Sequence, residues 1–111
     1  MSVEIRRVGT VDVIAPQGPL TEDDAEAFIE TLQARLDTAN PRFVIDMSAV
    51  PYLDSRGIEG IVDAADDLRQ RGGRMRLASA MGTCREVLDL TGHAGCVEFF
   101  DDTQSAVRSF L

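Results

Sequence analysis

Val44-Ile45-Asp46-Met47-Ser48-Ala49-Val50-Pro51-Tyr52-Leu53-Asp54-Ser55-Arg56-Gly57-Ile58 is the stretch that decides the fold. Its first residues, with Phe43 before them, form an apolar run with no polar alternation, the pattern of a strand buried on both faces. From Ile58 the period changes. Ile58, Ile61, Val62, Ala65 and Leu68 recur at helical spacing, with Glu59, Asp63, Asp66 and Asp67 on the opposite side. Between strand and helix lies an irregular segment, Asp46 to Gly57. A buried strand followed by an amphipathic helix is half of a crossover unit, and such units build parallel sheets.

The flanks extend this pattern in both directions. Upstream, Val3–Val8 alternates apolar and polar residues, Gly9-Thr10 interrupts it, and Val11–Ala15 follows until Pro16 and Gly18-Pro19. That pattern predicts a hairpin with one face on the core. Thr21 then precedes Glu22-Asp23-Asp24, an acidic helix start that offsets the positive end of the dipole. Ala25, Phe28, Ile29, Leu32 and Leu36 form that helix's apolar stripe, and Asn40-Pro41 ends it.

Downstream, Gly72-Gly73 stops the helix that began near Ser55. Arg74–Ala78 reads as a strand, and Thr83-Cys84-Arg85-Glu86 reads as a capping box ahead of Val87, Leu88 and Leu90. Gly92 closes that helix and Val97–Phe100 is a last strand. Asp101 or Asp102 caps a final helix carrying Ala106, Val107 and Phe110. The expected order is ββαβαβαβα: one α/β domain, a mostly parallel central sheet with an antiparallel N-terminal edge strand, and helices packed against it.

Composition narrows the function. With 111 residues, 44% hydrophobic and 27% charged, the chain suits one globular domain over residues 1–111. Its net charge of −8 disfavours nucleic acid and anionic membrane surfaces as partners. All eleven cationic residues are Arg, which removes Schiff-base chemistry, a phosphate-loop lysine, and the lysine that receiver domains keep beside their phosphoacceptor aspartate. Cys84 and Cys96 form no C-x-x-C pair and have no zinc-ligand partners. No signal peptide or membrane-spanning run is read, so a cytoplasmic protein with reduced thiols is expected. His93 is the single histidine and lies in a glycine-flanked turn without a nucleophile elbow around Ser55. The acidic pairs Asp23-Asp24, Asp66-Asp67 and Asp101-Asp102 read as solvated helix ends and faces. No catalytic residue, metal or cofactor is expected.

Asp46-Met47-Ser48-Ala49-Val50 followed by Leu53-Asp54-Ser55-Arg56-Gly57-Ile58 resembles the STAS domain of bacterial anti-sigma factor antagonists, whose pattern here is D-[LM]-S-x-V-x-x-[IMLV]-D-[ST]-[ST]-G-[LI]. Pro16-Gln17-Gly18-Pro19-Leu20 is similar to the family's P-x-G-x-L, and Leu90-Thr91-Gly92 with Asp101-Asp102 to its ending. The resemblance implies that a partner serine kinase, itself an anti-sigma factor, phosphorylates Ser55. It further implies that the unphosphorylated domain binds this kinase and that a PP2C-type phosphatase resets the site. The implied docking surface is Leu20, Thr21, Asp54, Ser55, Arg56, Gly57, Ile58 and Glu59, with Asp46 and Asp54 supporting the loop.

Arg56 departs from the pattern, because it stands at the second hydroxyl position. An adjacent guanidinium can pair with phosphoserine or alter the docking surface. A second reading therefore stays open: an unmodified docking subunit of a sensory scaffold or a lipid-transport ATPase complex. Pairing with a second copy is also left open.

Overall fold

A crossover between neighbouring parallel strands is almost always right-handed. Repeating that step in one direction across a sheet therefore puts every connecting helix on the same face. The computed structural model, which describes residues 2–90, 95 and 97–111, has this layout. Its elements are β1 (Val3–Val8), β2 (Val11–Pro16), α1 (Glu22–Leu36), β3 (Phe43–Asp46), α2 (Ser55–Gln70), β4 (Met75–Ala78), α3 (Gly82–Leu90), β5 (Val97–Phe100) and α4 (Thr103–Arg108). The strands lie in chain order across one sheet. β1 pairs antiparallel with β2, and the remaining neighbours are parallel. The expectations placed on Thr91, Gly92, His93 and Cys96 lie outside the described residues.

Alternate side chains of each inner strand feed two apolar layers. Ile14, Ile45 and Leu77 face α1, α2 and α3, where Phe28, Leu32, Ile61, Leu68 and Leu88 complete the main core. Val11, Val44 and Ala78 face the other way and meet Ala106 of α4. Val44 and Ile45 are both fully buried, as the unalternating run predicts. Each such side chain contributes about 1.5–3 kcal/mol by leaving water. The α1 stripe is likewise buried at Ala25, Phe28, Ile29, Leu32 and Leu36.

The end of α2 is fixed by backbone geometry. Gly72 adopts φ +83, its N–H donates to Arg69 O at 3.0 Å, and the Gly73 N–H donates to Leu68 O at 2.8 Å. These two bonds satisfy the last carbonyls of the helix in a Schellman arrangement.

Two expectations need correction. The N-terminal hairpin does not lay one face of β1 on the core. Only Val3 packs there, while Ile5 and Val8 stay 42% and 40% exposed, because β1 is the rim of the sheet, outside the helical layers. Thr83 also does not open a capping box. α3 begins one residue earlier, the Arg85 N–H bonds to Met81 O at 3.1 Å, and the Thr83 hydroxyl donates to Pro51 O at 2.8 Å. A carbonyl supplied by tertiary structure outcompetes the local cap.

Candidate functional site

The segment from Asp46 to Gly57 crosses the carboxyl end of the sheet, and its shape follows from a few anchors. Asp46 Oδ1 accepts the Ser48 N–H at 3.0 Å, turning the chain as it leaves β3. Met47 donates its N–H to Ala78 O at 2.8 Å, and the Val50 N–H returns to Met47 O at 3.0 Å. Met47 and Val50 are fully buried beneath this turn. Pro51 and Tyr52 then run exposed over the surface.

The loop before α1 and the loop before α2 are zipped together. Leu20 and Leu53 form a parallel bridge. The Leu20 N–H donates to Tyr52 O at 3.1 Å, and the Asp54 N–H donates to Leu20 O at 3.0 Å. Leu20 itself is fully buried. Gly57 allows this close approach: a Cβ there would lie 2.7 Å from Leu20 O and 3.2 Å from Leu53 Cβ.

Asp54 joins the two helix ends. Its Oδ1 accepts the Gly57 N–H at 3.0 Å, capping α2, and its Oδ2 accepts the Glu22 N–H at 2.9 Å, capping α1. The bonds from Gly57 and then Glu22 favour the ionised form and hold its carboxyl below the usual aspartate value. Thr21 occupies the cap position of α1, yet its side chain makes no capping bond. Glu22 sits at φ +47, a left-handed conformation costly for a residue with a Cβ. Its amide is thereby delivered to Asp54.

Ser55 is the first residue of α2 and is exposed. Arg56 turns towards α1. Its Nε and Nη2 donate to the two carboxylate oxygens of Glu26, the latter at 3.3 Å, and its Nη1 donates to Glu59 Oε1. The hydrogen bond from Arg56 lowers the Glu26 pKa, and the reciprocal bond raises that of Arg56. Gly57 is buried, Ile58 packs on the edge of the core, and Glu59 is exposed.

The structure thus brings Leu20, Thr21, Asp54, Ser55, Arg56, Gly57 and Glu59 to one end of α1 and α2. Asp46 stands at the base of the same loop. Glu26 and Pro51 belong to the arrangement without being singled out in the sequence, and Thr83, read there as a helix cap, joins it through Pro51. A helical face with Glu at 26 carries no local sign of an Arg thirty residues on. Cys84 is buried, and its Sγ lies 3.5 Å from Val50 O. Burial raises its thiol pKa, so it behaves as a core residue. Among the described residues no group of three or more His, Cys, Asp or Glu is placed to hold a metal ion. The groove between α1 and α2 beside Arg56 measures about 160 Å³, below the size of ordinary cofactor sites. No described helix is long and apolar enough to cross a membrane.

This fold is a single α/β module in which an Asp-Ser pair opens the helix after the central strand. The sequence model of the STAS domain matches residues 2–106, and the chain belongs to that family. It is 24% identical over 110 residues to BtrV of Bordetella bronchiseptica, assigned as an anti-sigma factor antagonist, covering 99% of this chain and 95% of that one. An anti-sigma factor antagonist (STAS) domain protein from Planctomyces limnophilus is 26% identical, with 96% of each chain covered and a TM-score of 0.84. The Bacillus cell fate determinant SpoIIAA in its phosphorylated form superposes with a TM-score of 0.77 at 16% identity, covering 99% of this chain and 100% of that one.

Proposed function

We propose that this protein is a cytoplasmic anti-sigma factor antagonist that binds a serine-kinase anti-sigma factor and is released when that kinase phosphorylates Ser55. The observation that carries the reading is an exposed serine hydroxyl at the first position of α2, on a loop that Asp54 pins from both sides. Docking uses the surface around it: Leu20-Thr21, Asp54 to Glu59, and the start of α2.

The geometry explains how added charge acts on a partner rather than on the fold. A helix N-terminus ordinarily welcomes a phosphoryl group, but Asp54 already accepts the Gly57 amide of this one. Arg56 is already balanced by Glu26 and Glu59. A phosphoserine at residue 55 brings about −1.5 to −2 charges into a neighbourhood where the adjacent Arg56 is already engaged by two carboxylates. It therefore projects towards the docked partner, where its desolvation and its repulsion from partner carboxylates oppose docking. Unfavourable contact of roughly 3 kcal/mol lowers affinity more than a hundredfold. A phosphatase of the PP2C type returns the serine to its binding form.

Capture from host lysate with wild-type, Ser55→Ala and Ser55→Asp baits tests this. Wild type and Ser55→Ala should retain an anti-sigma serine kinase, and Ser55→Asp should lose it. Equal retention by Ser55→Asp overturns the switch and leaves an unmodified docking subunit.

A further inference from the structure

We propose that the outer edge of β1 is a self-pairing surface, through which two copies of this chain join antiparallel into one continuous sheet.

The phase of the β1–β2 ladder fixes which backbone groups are free. The Gln17 N–H donates to Ser2 O at 2.9 Å, and the register then runs unbroken from Val3↔Pro16 to Val8↔Val11. In an antiparallel pair, successive residues alternate between bonding inward and pointing outward. Ser2, Glu4, Arg6 and Val8 therefore spend their backbone groups on β2. Val3, Ile5 and Arg7 direct their N–H and C=O groups away from the sheet.

The side chains select one register. Ile5 lies opposite Ile14 and so shares the face that carries α1 to α3, together with Val3 and Arg7. Glu4, Arg6 and Val8 lie on the α4 face. A two-fold axis perpendicular to the sheet keeps these faces together, so odd residues must pair with odd ones. Centring the axis at Glu4 sets two carboxylates against each other, and centring it at Arg6 sets two guanidinium groups together. Centring it at Ile5 removes both conflicts. Ile5 then meets the partner's Ile5, Glu4 meets the partner's Arg6 on each side of the axis, and Val3 meets the partner's Arg7.

The same register aligns all the outward backbone groups of Val3, Ile5 and Arg7 with those of the second copy. Backbone phase and side-chain charge thus choose the same pairing independently. It also covers Ile5, 42% exposed on a lone chain. Exposed edges are usually defended by charge; here Glu4 and Arg6 repel in two registers and attract in the third. The candidate site lies at the carboxyl ends of β2 and β3, so pairing leaves it free in both copies.

Sedimentation equilibrium of the full chain tests the proposal. The mass should rise from 12.1 kDa towards twice that value with concentration. Glu4→Arg and Arg6→Glu should each weaken association about tenfold, since two cross-strand charge pairs turn from attraction to repulsion. The double variant Glu4→Arg/Arg6→Glu should restore it, and an equimolar mixture of the two single variants should form heterodimers. Circular dichroism melts confirm that these exposed changes leave the fold intact. A monomer at every concentration overturns the proposal, as does a dimer indifferent to both reversals.

Discussion

The N-termini of α1 and α2 lie side by side, yet they are finished in different ways. α2 uses the residue just before it: Asp54 accepts the Gly57 amide three residues on. α1 is preceded by Thr21, a good capping type, but takes its cap from the same Asp54, 32 residues further along the chain. One carboxylate therefore serves two helices and couples the two loops that flank Ser55. A helix end beside a docking site can be completed by the site loop itself, so that order in one loop depends on the other.

The largest disturbance of this shared arrangement comes from its apolar anchor. Leu20→Ala should cost about 3 kcal/mol, since the side chain is fully buried and truncation leaves a cavity. Urea denaturation should show it as a lower midpoint with little change in slope. Next comes Gly57→Ala, expected to cost about 2 kcal/mol because the new Cβ meets the Leu20 carbonyl, a backbone atom that cannot rotate away. Gly60→Ala should cost less, although its Cβ would lie 2.4 Å from Ile29 Cγ1, since that contact is a side chain.

Asp54→Asn should lower the melting temperature by several degrees at neutral pH, and Thr21→Ala by much less. The pH dependence follows from the depressed Asp54 pKa. Ionised Asp54 stabilises the fold above its unfolded value near 3.8, and that stabilisation is lost as pH falls through the lower folded value. The melting temperatures of wild type and Asp54→Asn should therefore converge as pH falls below 3.8. Equal effects of Asp54→Asn and Thr21→Ala would show that the two ends are capped separately. Smallest of all, Ser55→Ala should shift stability by less than about 0.5 kcal/mol, the range for a surface change away from packing and caps.

Much of this fold is legible in the chain because its signals are local and agree with one another. The unalternating Phe43-Val44-Ile45 strand, the α1 stripe from Ala25 to Leu36 and the Gly72-Gly73 stop each declare an element without knowledge of its neighbours. The family motif likewise singles out Asp54 and Ser55. What the sequence hides are partners chosen in three dimensions. Thr21 and Thr83 both have the right chemistry for caps; one is displaced by Asp54, and the other gives its hydroxyl to Pro51. Arg56 reads as a neighbour for phosphoserine, whereas Glu26 on another helix engages it. Ile5 and Val8 have the alternation of a half-buried strand, but alternation cannot reveal that β1 is the rim.

Phosphate mapping by mass spectrometry, on the protein recovered from its own cells, asks whether modification happens at the point where those two helices meet. Wild type should carry phosphate on Ser55, and the Ser55→Ala protein should carry none. Phosphate found only at other residues, or no phosphate while the kinase partner binds and lets go normally, would contradict the account.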